Sequence, residues 1–273
     1  MSRELADIST ADTEATYFRE WIENFSYNHP RIAHLPGVDN LHNIMKGGSA
    51  LIVNAGPSLN LEGLEQHRHK ICLIVVDRAL SMIGDHKPDL VVTCEWKSAV
   101  ASYLKNIQPQ TNLVIPVFAH REVMRIAERC TTFIQQPNSE QTEFGKYVYN
   151  RGMRKGSFPL GGSVGTLGVG AAIKMGFKRI AITGADLCYD TPGMMLSKRE
   201  DVDEHWKKVF TCCSFKTSQW WYEEVAKHYK DIEFFRIGFE GLKIRGFDRC
   251  GLPYFLSGCS IGEDYKNIIR RSA

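Results

Sequence analysis

Two short stretches of this chain combine glycine with hydroxyl and amide groups in a way that suits an anion. The first holds Asn54, Gly56, Pro57 and Ser58; the second holds Gly161, Gly162 and Ser163. Glycine lets the backbone approach a ligand or adopt positive φ, and serine adds a hydroxyl beside an amide donor. Pro57 suits a first helical position, where no N–H is needed, and the residues after Ser163 read as a small-residue helix. Each stretch is therefore expected to open a helix, whose free first-turn N–H groups attract phosphate. Neither has the spacing of a dinucleotide fingerprint or the lysine of a P-loop. A tight strand-to-helix turn accounts for the first stretch equally well.

Three acids end apolar runs: Asp77, Glu95 and Asp186. Polar groups at the carboxyl ends of parallel strands converge on one crevice, where acceptors can hold a ribose, a base amine or a hydrated Mg²⁺. Asp77 could instead cap the next helix, Glu95 could face solvent, and Asp186 could serve as a cap or an internal ion-pair partner. Among nine histidines, His205 is the candidate acid/base group, because it follows Asp186 in a polar segment expected to fold over the crevice. An exposed helical histidine is its plainer reading. Glycines 165, 168 and 170 read as packing positions that let a helix lie close to the sheet. Arg151, Arg154 and Lys155 are expected near the Gly161 turn, either meeting phosphates or simply solvated.

The elements that would position these groups alternate. Residues 50–54, 71–77, 88–95, 111–118 and 131–136 are short β-branched runs, separated by helical patterns. Residues 164–175 form the small-residue helix, Gly176 ends it, and a strand leads to Asp186. A last strand falls at 232–239. Runs apolar on both faces suit parallel strands covered on both sides. The fold class is α/β, a doubly wound, mostly parallel Rossmann-like sheet. Residues 1–48 form an N-terminal helical extension, 49–190 the nucleotide-binding core, and 191–273 a partly helical cap completing the same domain. The first helix should end near residue 25, before Pro30. Its aromatic stripe (Tyr17, Phe18, Trp21, Ile22, Phe25) packs on the core or covers a second copy in a homo-oligomer. Residues 137–160 look irregular, 200–210 helical, and 240–256 a glycine-rich tail. The Trp220–Trp221 pair suits either an interface or the core.

The chain has 273 residues and a net charge of +3, too small to indicate a nucleic-acid partner. No apolar run reaches membrane-span length, and the first residues are too polar for a signal peptide, so a cytoplasmic protein is expected. Eight cysteines include no CxxC pair, which favours free thiols in a reducing compartment.

Taken in order, AGPSLN, VDRAL, KPDLVV and GGSVGTLGVGAAIKMGFKRIAITGADLCY resemble the domain shared by motility accessory factor (Maf) glycosyltransferases and MptE-like 6-hydroxymethylpterin diphosphokinases. The lead-in NHPRIAHLPGVDNL and the later EGLKIRGF look closer to Maf proteins. That resemblance implies transfer of a nonulosonic, sialic-acid-like sugar from a CMP donor to a hydroxyl on a protein, glycan or small molecule. By a more distant similarity to bacterial sialyltransferases, Gly56, Pro57 and Ser58 would line the nucleotide. Gly162 and Ser163 would meet its phosphate or cytosine edge, and His205 would be the base. Glu95–Trp96 stands where Maf proteins often carry Asp-Pro, which leaves the role of Glu95 open. An MptE-type kinase would instead use Asp77, Glu95 and Asp186 around Mg²⁺ to transfer diphosphate from ATP. A nucleotide-binding protein without chemistry is the third reading.

Overall fold

The computed structural model describes residues 3–137, 142–189, 199–202, 208–260 and 269. Helix α1 (Arg3–Ile32) leads through a short 3-10 turn to strand β1 (Ser49–Val53). Then follow α2 (Leu64–His67), β2 (Cys72–Val76), β3 (Leu90–Val92), α3 (Ala99–Leu104), β4 (Asn112–Pro116), α4 (Arg121–Ala127) and β5 (Thr131–Gln135). Helices α5 (Glu143–Asn150) and α6 (Val164–Met175) precede β6 (Arg179–Thr183) and a hairpin of β7 (Arg199–Val202) and β8 (Lys208–Thr211). The chain closes with α7 (Cys213–His228), β9 (Glu233–Ile237), β10 (Asp248–Cys250) and α8 (Leu252–Ser257).

Eight strands form one parallel sheet in the order β10-β9-β6-β1-β2-β3-β4-β5. The chain builds outward from β1 to β5, then returns to lay β6 on the other side of β1. That reversal is the switch point at which α/β sheets bind ligands, outside the carboxyl ends of the strands. Register levels those ends: Val53 pairs with both Val75 and Thr183. One apolar cluster joins the central strands with α6, α7 and α8; a second joins β4 and β5 with α1, α4 and α5.

Several elements differ from the sequence expectation. Helix α1 runs past Phe25 to Ile32 with Pro30 inside its last turn. Tertiary contacts carry it there: Phe25 and Ile32 are buried, and the Asn28 amide donates to the carbonyls of Val117 (3.1 Å) and Ala119 (2.8 Å). The 137–160 stretch contains α5, which Thr142 caps by accepting from the Gly145 amide at 2.9 Å. The described parts of 200–210 are strands of an antiparallel hairpin, not a helix. Strand β10 lies in the expected glycine-rich tail. After β1 a turn precedes the short helix α2, which holds Leu64 as expected, and after β2 the chain makes only a 3-10 segment (Asp77–Ser81) where a helix was expected. Trp221 is buried against Gly161 and Trp220 packs on the core, so the pair is core packing. All eight cysteines are free.

Candidate functional site

The β1 turn and the carboxyl end of β6 are built as one unit. The Asn54 amide and side-chain Nδ2 both donate to the Thr183 carbonyl, at 2.9 and 3.1 Å. The Gly56 amide donates to the Gly184 carbonyl at 2.9 Å, and the Asn60 amide to Thr183 Oγ1 at 3.1 Å. Gly56 has no room for a side chain: a Cβ there would stand 2.5 Å from Asp186 Oδ2. Ser58 donates its amide to Asp186 Oδ2 at 3.0 Å and its hydroxyl to Asp186 Oδ1.

These contacts revise two expectations. No helix starts at Pro57, so the first stretch offers no helical N-terminus. The Ser58 N–H is not an open anion donor, because the Asp186 carboxylate already takes it. Of the three readings for Asp186, the structure displays the internal partner. Arg236, fully buried, brings its guanidinium to 3.6 Å from Asp186 Oδ1 and donates to the carbonyls of Leu242 and Glu240. A buried carboxylate needs such compensation. Arg236 was not singled out from the sequence, although an arginine inside the apolar run 232–239 was the available signal. Just beyond Asp186, Leu187 takes φ of 57°, a costly conformation for a bulky residue. The Asp186 carbonyl accepts from the Leu242 amide (3.0 Å) and the Leu187 carbonyl from Thr211 Oγ1 (2.9 Å), which hold the turn in place.

The second glycine stretch forms as expected. Gly162 takes φ of 89°, and Ser163 is the N-cap of α6 with no capping bond from its own side chain. Asn54 joins the two stretches, since its Oδ1 lies where a Cβ on Gly165 would stand. Both turns therefore meet at the carboxyl end of β1. The start of α7 closes over the second one: Ser218 bonds Ser163 Oγ at 2.9 Å, and a Cβ on Gly162 would meet the Ser214 carbonyl at 3.0 Å.

Asp77 and Glu95 follow the adjacent strands β2 and β3, near enough for the Asp77 charge to act on Glu95. Thr93 Oγ1 donates to Asp77 Oδ2 at 2.7 Å, and the Arg78 amide to Oδ1 at 2.6 Å. Burial pushes the Asp77 carboxyl above the usual range, against the lowering effect of those two bonds. Glu95 is raised by burial first and by the Asp77 charge second. The pair forms a compact acidic site with a hydroxyl, whose hard oxygens could hold Mg²⁺. Among the described residues no group of three His, Cys, Asp or Glu side chains gathers to hold a metal ion.

The basic residues of the 151–155 loop are committed elsewhere. Arg151 and Arg154 lie over the rings of Tyr147 and Tyr149, and Lys155 Nζ donates to the carbonyls of Ala33 and Leu35. His205 lies outside the described residues. Two cavities, of about 840 and 650 Å³, sit at the amino ends of the strands, around Asp89 and Asn112 in one case and Gly176 and Lys178 in the other. The carboxyl-end crevice is the better site, because the convergent polar groups, the strained turn and the topological reversal coincide there.

A parallel α/β sheet with two glycine turns meeting at its switch point is a doubly wound, Rossmann-like architecture. The family described as 6-hydroxymethylpterin diphosphokinase MptE-like matches residues 23–192, and the chain belongs to it. This agrees with the motif order read from the sequence. No curated protein matches the chain. Among solved structures it is similar to the MAf glycosyltransferase from Magnetospirillum magneticum AMB-1, at 15% identity and a TM-score of 0.64, over 86% of this chain and 41% of that one. The chain thus spans less than half of that glycosyltransferase, and the likeness is one of fold. No helix among the described residues is long and apolar enough to cross a membrane.

Proposed function

We propose that this protein is a nucleotide-sugar-dependent glycosyltransferase, moving a sialic-acid-like sugar from a CMP donor to a hydroxyl acceptor. The observation that carries this reading is the engagement of Asp186 by Ser58 and Arg236. It draws one carboxylate out of any three-acid metal cage and leaves the glycine turns that follow β1 and precede α6 meeting at the switch point. In the transfer, the acceptor oxygen bonds to the anomeric carbon as the bond from that carbon to the phosphate oxygen breaks. The leaving electron pair goes to the nucleotide phosphate, and the acceptor proton passes to a base, for which we propose His205. In this reading the α6 start at Gly162 and Ser163 would supply amides to the departing phosphate, and the 54–58 turn would support the nucleoside.

A diphosphokinase is the second reading. It is favoured by the adjacent Asp77 and Glu95 carboxylates beside Thr93, which would hold Mg²⁺ and offset charge on the triphosphate of ATP.

Thermal unfolding with CMP, CDP, UDP, GDP and ATP, with and without Mg²⁺, separates the two. The glycosyltransferase reading predicts metal-independent stabilisation by CMP. Stabilisation by ATP only with Mg²⁺ would replace it with the kinase, and no response to any nucleotide would overturn both. His205→Ala is expected to abolish transfer while retaining CMP binding; unchanged turnover would remove His205 from the mechanism.

A further inference from the structure

Arg78 follows Asp77 at the carboxyl end of β2, one strand from the β1 turn. It is exposed, and its backbone is fixed: the amide donates to Asp77 and the carbonyl accepts from Ser81 Oγ at 3.2 Å. Its guanidinium makes no hydrogen bond or ion pair among the described residues. Three other cations near this end of the sheet are committed. Arg236 is buried against Asp186, Lys97 lies over the rings of Tyr17 and Trp96 at 5.2 and 5.3 Å, and Lys208 is engaged by a partner.

Across the β1 turn from Arg78 stands Tyr189, at the end of the strained segment after Asp186. Tyr189 is pinned by reciprocal backbone bonds with Phe210 (2.7 and 2.9 Å) and by its ring against Phe215 at 5.1 Å. The two are near enough for the Arg78 charge to favour ionisation of the Tyr189 hydroxyl, although burial dominates and raises it. Arg78 thus presents an exposed, planar guanidinium with five donors beside the Asp77 carboxyl at the end of β2, free among the described residues to take an anion bidentately.

We propose that Arg78 is the phosphate-positioning residue of the switch-point crevice, holding the phosphoryl group of the bound nucleotide from the β2 side. The assignment rests on the nucleotide-binding reading above. It adds a cation to a site in which the Ser58 amide is already used, and it offsets part of the charge of the neighbouring Asp77 and Glu95 carboxylates.

Calorimetric titration of the full chain with CMP and, separately, with cytidine tests it. Arg78→Ala should weaken CMP binding roughly 10- to 100-fold and leave cytidine affinity unchanged. Arg78→Lys should recover part of the loss, and CMP binding by the alanine variant should depend less on salt. The residue is exposed, so its variants should unfold at the wild-type temperature; if the alanine variant does not fold, Arg78→Gln takes its place. Equal CMP affinity in wild type and variant would overturn the assignment, as would an equal loss of cytidine. Wild-type protein that binds neither compound would instead remove the nucleotide reading on which it stands.

Discussion

Asp186, just past the end of β6, accepts from Ser58 at both carboxylate oxygens, and the Arg236 guanidinium approaches Oδ1. Asp77 differs: its bonds to Thr93 and the Arg78 amide do not outweigh burial, and its carboxyl is raised. The consequence for stability has a definite sign. A carboxyl whose pKa is higher in the folded than in the unfolded chain gives up its proton later on folding, so stability falls as pH rises from the ordinary carboxylate range, near about 4, through the folded value. Asp77→Asn, which can still meet both Thr93 and the Arg78 amide, should flatten that decline. Its unfolding temperature should equal or exceed that of wild type at pH 7, measured by calorimetry between pH 4 and 8 in metal-free buffer. A variant less stable than wild type at pH 7 yet equal at pH 4 would reverse the sign. The acids themselves were legible, because a charged residue closing an apolar run stands out. Their partners were not: Ser58 and Arg236 lie far from Asp186 along the chain, and only the folded sheet brings them to it.

Helix α6 is the element on which the site depends, and its glycines were readable as packing positions before the fold was known. A Cβ on Gly168 would stand 2.7 Å from Ile52 Cγ2 of β1, so Gly168→Ala must push the helix or Ile52 aside. The expected loss is about 1–3 kcal/mol in urea unfolding, the range for overpacking a filled core. Gly63→Ala is the contrasting case. Its φ is 81° and nothing lies within 4 Å of the added carbon, so backbone strain alone should cost it about 1–2 kcal/mol. If Gly168→Ala were neutral, the close seating of α6 on β1 would be wrong. Elements without such a pattern were misread. The 200–210 stretch has charges at helical spacing, but its described ends pair as strands with each other and, through Phe210, with Tyr189. Helix α5 was passed over for its polar, glycine-dotted flanks, although Phe144, Tyr147 and Val148 fall at helical spacing and pack in the cluster that includes α1.

At the scale of the whole molecule, the alternation of β-branched runs and helices specified a parallel sheet, and the return of β6 to the flank of β1 places the glycine turns side by side. That return is a long-range event that local pattern cannot specify; the family's motif order carried it. The sheet offers two alternative ends for a ligand: the carboxyl ends at the switch point, and the amino ends, where cavities of about 840 and 650 Å³ lie. A crystal structure of the protein soaked with CMP distinguishes them directly. The account predicts CMP between the carboxyl ends of β1 and β6, its phosphate within hydrogen-bond reach of Arg78 or the α6 start. CMP lodged instead in the cavity around Asp89 and Asn112, with the switch-point crevice empty, would contradict it.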